Sequence, residues 1–130
     1  MIDKLAWIHI ENGALLTARS HNRHLYYIPG GKRETGETDY TALIREVREE
    51  LSVELWPETV QSMGEFEAQA DGKPLGTPVR MRCYAADYQG TLTPAAEIAE
   101  MAWLHYADQA KVSAVAQLIF DALHQAGLLR

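Results

Sequence analysis

Glu46, Glu49 and Glu50 stand at i, i+3 and i+4 in the segment TDYTALIREVREEL. On a helix that spacing projects three carboxylates from neighbouring positions. Exposed like charges so placed repel one another by about a few tenths of a kcal/mol per pair. A hard divalent cation reverses that cost, since magnesium favours carboxylate oxygen, retained water and substrate phosphate. The same cluster also reads as a solvated helix face, with Arg45 paired to Glu49 and Arg48 screening its neighbours. The preceding segment, IPGGKRETGET, tips the balance toward a site, because it packs three glycines and a proline into a polar loop. Successive glycines let a backbone approach a ligand and turn sharply, and a carbonyl held there can complete a metal shell. Lys32 and Arg33 can meet phosphate oxygens. Glu37 can either accept backbone N–H bonds in the loop or pair with Arg45, and the residues alone leave both open.

These groups need a rigid support. Leu43, Val47 and Leu51 recur every four residues with Ile44 widening the stripe, which predicts an amphipathic helix of about 14 residues. Thr38 is its expected N-cap and Asp39 suits the first turn. The apolar stripe should anchor this helix to a sheet and aim the carboxylates outward. Upstream, LAWIHI and ALLTARS flank Glu11, Asn12 and Gly13, and Asn-Gly predicts a hairpin joining the two as a first antiparallel pair. LYYIPGG reads as a short strand stopped by Pro29 and the glycines. Further on, VQSMGEFEAQ and VRMRCYAADY read as strands around the turn-rich DGKPLGTP, and EIAEMAWLHY reads as a loop entering a strand that buries Ile98, Trp103 and Leu104. Val115, Leu118, Ile119, Ala122 and Leu123 keep helical spacing from Ser113 to Gln125, before Gly127. Strands and helices in this order imply an α/β fold, a mixed central sheet in an α/β/α sandwich.

At 130 residues the chain is expected to form a single domain, residues 1–130. Its formal net charge of -6 argues against a nucleic acid polymer as partner, whose binding leans on basic patches. It leaves room for a small phosphorylated substrate, since bound cations reverse the local field. The single cysteine, Cys83, excludes an internal disulfide framework and reads as a core thiol. No apolar run reaches the 18 or more residues of a membrane span, and no leader pattern is present, so a cytoplasmic location and no membrane partner are expected. His9, His105 and His124 lack ligand-like spacing, which disfavours zinc. His21, Arg23 and His24 fall in a polar loop before the glycines, and Arg19 ends the second strand beside it. Both arginines are candidates for phosphate contact.

The segment GKRETGETDYTALIREVREELSV resembles the signature box of the Nudix hydrolase family, the group that includes the small MutT-like pyrophosphohydrolases. Gly31, Glu37, Arg45, Glu46, Val47, Glu49, Glu50 and Val53 fall in register with that box. A chance match to so long a discontinuous pattern is on the order of one in ten million or rarer, which makes coincidence negligible. Ser52 stands where the family has glycine, and serine there would cost about 1 kcal/mol in a left-handed backbone.

The resemblance implies the family's α/β/α sandwich with a catalytic loop and helix, and hydrolysis of a nucleoside diphosphate linked to another moiety. By it, Glu46, Glu49 and Glu50 with the Gly31 carbonyl would bind Mg2+ or Mn2+, neutralising charge at phosphorus and acidifying the attacking water. Arg45 would position Glu37 or Glu49. The general base would be a box glutamate or a later carboxylate, Glu97 or Glu100, with Glu100 placed before Trp103 as in many relatives. The chain shows no N-terminal sheet extension of the kind found in larger dimeric relatives. That favours a nucleoside or deoxynucleoside triphosphate, cleaved to monophosphate and pyrophosphate, over ADP-ribose, another nucleoside diphosphate sugar or a dinucleoside polyphosphate. A non-catalytic nucleotide-binding module is a further alternative, disfavoured because all three glutamates are kept. The expected partner is a small nucleotide-like diphosphate, bound by a monomer or homodimer.

Overall fold

The computed structural model describes all 130 residues. In chain order the elements are β1 (Ile2–Ile8), β2 (Ile10–Glu11), β3 (Ala14–Ser20), β4 (Gly30–Gly31), α1 (Asp39–Leu51), β5 (Glu54–Leu55), β6 (Gln61–Gln69), β7 (Pro78–Ala85), β8 (Tyr88–Gln89), β9 (Ile98–Leu104) and α2 (Ala114–Gln125). Strands β4-β1-β7-β6 form a mixed sheet in which β1 runs parallel to β7 and antiparallel to β4. Strands β2-β3-β9 form a second, antiparallel sheet, and β5 pairs with β8.

The Asn12-Gly13 turn is present, with φ of 52° and 78°, the left-handed pair a tight hairpin requires. It does not join LAWIHI to ALLTARS as the pattern predicts. Only Ile10 and Glu11 pair across it, with Leu15 and Ala14. The chain breaks at His9, β1 pairs along its whole length with β7, and β3 pairs with β9. The reason is burial on both faces: β1 carries apolar residues at consecutive positions, which suits the centre of a covered sheet better than one arm of a half-exposed hairpin. LYYIPGG also contracts, contributing only the two glycines of β4 and isolated bridges from Tyr26 and Tyr27.

Two cores lie on opposite sides of β1. Leu5 and Trp7 join Leu16 of β3 and the α1 residues Ala42, Leu43, Val47 and Leu51. Ala6 and Ile8 join Leu15, Cys83 and the α2 residues Val115, Ile119, Phe120 and Leu123. This is the predicted sandwich, with a helix on each side. Trp7 is fully buried and donates its indole N–H to the Ala86 carbonyl at 3.0 Å. Cys83 is the expected core thiol, and burial pushes its pKa up to about 12. Ile98 and Leu104 are buried as expected, whereas Trp103 is 39% exposed, because it sits on the outward side of an edge strand beside His9.

Candidate active site

Helix α1 begins where the sequence places it. Thr38 caps the Thr41 N–H, and the Thr41 hydroxyl accepts the Thr38 N–H in return, closing both ends of a capping box. Leu43, Val47 and Leu51 are completely buried, and this stripe fixes the rotation of the helix against the sheet.

That rotation does not aim all three carboxylates outward. Glu50 is 4% exposed, lying next to Leu51 at the margin of the buried stripe. Glu46 is half-buried, and Glu49 alone stands in solvent. The two glycines of β4 explain how Glu46 and Glu50 are accommodated. Gly30 pairs with Ala6 and Gly31 with Leu5, so the loop backbone is pinned to the centre of the mixed sheet. The Gly30 N–H donates to Glu50 Oε1 at 3.2 Å. A Cβ on Gly30 would overlap the Leu5 carbonyl oxygen, and one on Gly31 would stand 2.5 Å from the Glu46 carboxylate. Glycine thus lets the backbone press against β1 at Gly30 and against the Glu46 carboxylate at Gly31.

Arg45 organises the rest. Its Nε and Nη2 hold the two oxygens of Glu37 at 2.7 and 2.8 Å, its Nη1 donates to Glu46 Oε1 at 3.0 Å, and its Nη2 donates to the Lys32 carbonyl at 3.1 Å. Glu49 lies 3.4 Å from the same Nη1. Glu37 therefore does both things the sequence left open, because its Oε1 also accepts the Glu34 N–H at 2.7 Å. These bonds, the Arg45 pairing foremost, bring its pKa down to about 2. Loop and helix are thus tied together by one guanidinium, which satisfies a fork geometry that lysine lacks.

The electrostatics of the two inner acids run the other way. Burial raises the Glu50 pKa to about 8, reinforced by Glu46 and Glu97 and opposed by the Gly30 N–H bond. Burial also raises Glu46, against the pull of Arg45. No three acidic or imidazole side chains are drawn together tightly enough to enclose an ion among themselves, since Glu49 leans back on Arg45. The donor set nonetheless fits a hard divalent cation: two desolvated carboxylates, each holding a single hydrogen bond, with a third carboxylate on the same helix and a glycine backbone packed against them.

Glu46, Glu50, Gly30 and Gly31 line a cavity of about 430 Å³, within the range of small-molecule sites. Arg23 and Lys32, both expected to face phosphate, line it too, as do Tyr27 and Glu97. The other expected residues are engaged elsewhere. Arg33 pairs with Asp39 at 3.0 Å at the start of α1. Arg19 donates to Glu100 at 3.1 Å and to the Arg23 carbonyl at 2.9 Å, and Glu100 also accepts the Tyr26 hydroxyl. These bonds, Tyr26 first, hold the Glu100 carboxyl below its usual pKa, and Glu100 does not line the cavity.

Glu97 reaches the cavity through a device without a short sequence signature. The Thr93 and Ala95 N–H groups donate to the Leu51 and Glu50 carbonyls at 2.9 Å each, and the Glu97 carbonyl accepts the His21 N–H at 2.9 Å. The loop that carries Glu97 is thereby stitched to the end of α1. Lys4 and Lys73 also line the cavity and were not singled out from sequence. For Lys4 a signal existed, since it is a charge set in the row Ile2, Lys4, Ala6, Ile8.

A sandwich with a glycine-backed acidic helix defines a class, and the comparisons agree with it. The NUDIX domain family model matches residues 5–122, and the chain belongs to the Nudix family. It is a Nudix pyrophosphohydrolase, of a family whose members use divalent metal ions. The CTP pyrophosphohydrolase of Escherichia coli (strain K12) is 32% identical over 97 residues, covering 71% of this chain and 67% of that protein. Among solved structures, the E. coli ORF135 protein is 26% identical with a TM-score of 0.75, covering 96% of this chain and 89% of that one. A NUDIX hydrolase from Nitrosomonas europaea shares the fold at a TM-score of 0.75 and 21% identity, over 98% of this chain and 90% of that one.

Proposed function

We propose that this chain hydrolyses a nucleoside or deoxynucleoside triphosphate to monophosphate and pyrophosphate in a Mg2+-dependent reaction, with Mn2+ as a substitute. The observation that carries this reading is the buried Glu50 carboxylate, held by the Gly30 N–H at 3.2 Å and lining one cavity with Glu46 and two phosphate-matching cations, Arg23 and Lys32. A desolvated acid so placed is unfavourable for folding and is explained by a cationic ligand. The triphosphate preference is supported by the likeness to a CTP pyrophosphohydrolase.

In this reading Glu46, Glu49 and Glu50, with the Gly31 carbonyl, hold the metal. When bound, the ion neutralises charge on the phosphate oxygens and acidifies water. Glu46 is placed to accept the proton of the attacking water, because it lines the cavity and Arg45 fixes its rotamer. Water oxygen bonds to one phosphorus of the α–β linkage, the bond from that phosphorus to the bridging oxygen breaks, and the bridging oxygen leaves with the other product, so that monophosphate and pyrophosphate result. Arg45 and Glu37 touch no substrate in this account and act as positioning residues. Residues 1–130 work as one domain, as monomer or homodimer.

The test is a panel of canonical and oxidised nucleoside triphosphates, ADP-ribose and a dinucleoside polyphosphate, with products resolved. Monophosphate plus pyrophosphate from a triphosphate is the expected result. Turnover confined to ADP-ribose or the dinucleotide would overturn the substrate class, and absence of metal-dependent turnover on all of them would favour a binding module. Within the same assay, Glu46→Gln should lose about 10²-fold or more in kcat and Glu97→Gln less than about 10-fold. The reverse ranking would transfer the base role to Glu97.

A further inference from the structure

We propose that Lys4 binds the substrate directly, its ammonium holding a phosphate oxygen of the nucleotide in the cavity it shares with Glu50 and Gly31. This rests on the pyrophosphohydrolase reading of that site and adds to it a binding residue outside the signature box.

Strand alternation turns Ile2, Lys4, Ala6 and Ile8 to the same face of β1. Ala6 and Ile8 belong to the core beneath α2, and Ile2 packs against it. Lys4 is therefore a charge set into an apolar row, and its register partner on β7 is Met81. Its ammonium makes neither an ion pair nor a hydrogen bond, and burial, with Lys32, Lys73 and Arg23 nearby, lowers its pKa. Lysines in such half-buried settings are ordinarily paired. Here the side chain lines the cavity together with Arg23, Lys32 and Lys73. Four cations line the cavity beside four acids, Glu46, Glu50, Asp71 and Glu97; with Glu46 and Glu50 given to a metal the cations outnumber the acids that remain, and phosphate is the anion the reaction supplies. Folding alone would be better served at this position by an aliphatic residue continuing the row, which argues that the charge serves a ligand.

The obvious rival is that Lys4 only moderates the charge of Glu50, the one carboxylate that draws its pKa upward. Steady-state kinetics on the triphosphate that the wild type cleaves, with equilibrium binding of Mg2+ alone, separates the two when run on wild type, Lys4→Met and Lys4→Arg. Lys4→Met should raise KM about 10-fold or more with kcat within about threefold, and Lys4→Arg should restore most of the loss. Mg2+ binding should be unchanged. An unaltered KM in Lys4→Met overturns the proposal, as does a change in Mg2+ affinity large enough to account for the whole effect. Lys4→Met should melt no lower than wild type; if it fails to fold, Lys4→Gln carries the same comparison. If the wild type cleaves no triphosphate, the substrate reading fails. The role of Lys4 is then read from the binding of Mg2+-pyrophosphate, where equal affinity in wild type and Lys4→Met overturns it.

Discussion

In the proposed reading, Glu50 sets function against stability within a single side chain. Its folded pKa of about 8 lies above the ordinary 4.5 because it is buried. Raising a carboxyl's pKa in the native state costs stability progressively from the pH at which the unfolded-state carboxyl ionises up to the native pKa. Its contribution is therefore fully retained below about pH 4.5 and is lost as pH rises through about 8. In chelator-treated protein, the unfolding midpoint of Glu50→Gln should exceed that of wild type at pH 8 by about 4 °C or more, and the gap should close toward pH 5. Thermal melts across that range check this; a gap independent of pH would mean that burial is not the cause. Arg45 makes the complementary case. Six acceptor atoms on Glu37, Glu46, Glu49 and Lys32 converge on one guanidinium, and lysine cannot serve them from one point. Arg45→Lys should fold, bind Mg2+ more weakly and lose about 10- to 100-fold in activity. Metal titration of turnover measures both effects, and wild-type turnover at low Mg2+ would contradict the positioning role.

At the scale of elements, the end of α1 shows how a departure from a family pattern is absorbed. Ser52 adopts φ 64° and ψ 23°, the left-handed cap for which glycine is usual, and its hydroxyl donates to the Thr93 carbonyl at 3.1 Å. The strain of about 1 kcal/mol is offset by a bond of about 0.5–1.5 kcal/mol. Ser52→Gly should accordingly shift the midpoint by only a degree or two, whereas Ser52→Ala keeps the strain, loses the bond and should destabilise more. Equal effects on melting would show that the hydroxyl contributes nothing. Helix α1 was legible because its caps, its stripe and its acids all lie within one short segment. The partners of β1 were not, since a buried parallel strand and a hairpin arm carry the same apolar run. The placement of Glu97 was equally hidden: it depends on backbone bonds from Thr93 and Ala95 to the last turn of α1, which any residues but proline could make. The exposed position of Glu49 and the buried one of Glu50 differ by one residue, and only the rotation of the packed helix separates them.

For the molecule as a whole, β1 is the shared wall. Its alternate residues enter both cores, and its middle holds the glycines that back the acids. The site and the fold should therefore be lost together. Tryptophan fluorescence, far-UV circular dichroism and activity after heating should give coincident midpoints, and separated transitions would contradict a single cooperative unit. Trp7 fills the side facing α1 without exposure, so Trp7→Ala should cost about 3–5 kcal/mol and lower all three midpoints together. The central claim is that the buried acid behind the glycine loop exists to hold the catalytic metal. Mg2+-dependent hydrolysis by Glu50→Gln, compared with wild type at saturating nucleotide, tests it most directly. The account predicts a loss of about 10²-fold or more in kcat from a protein that melts higher than wild type without metal; turnover within a few-fold of wild type would contradict it.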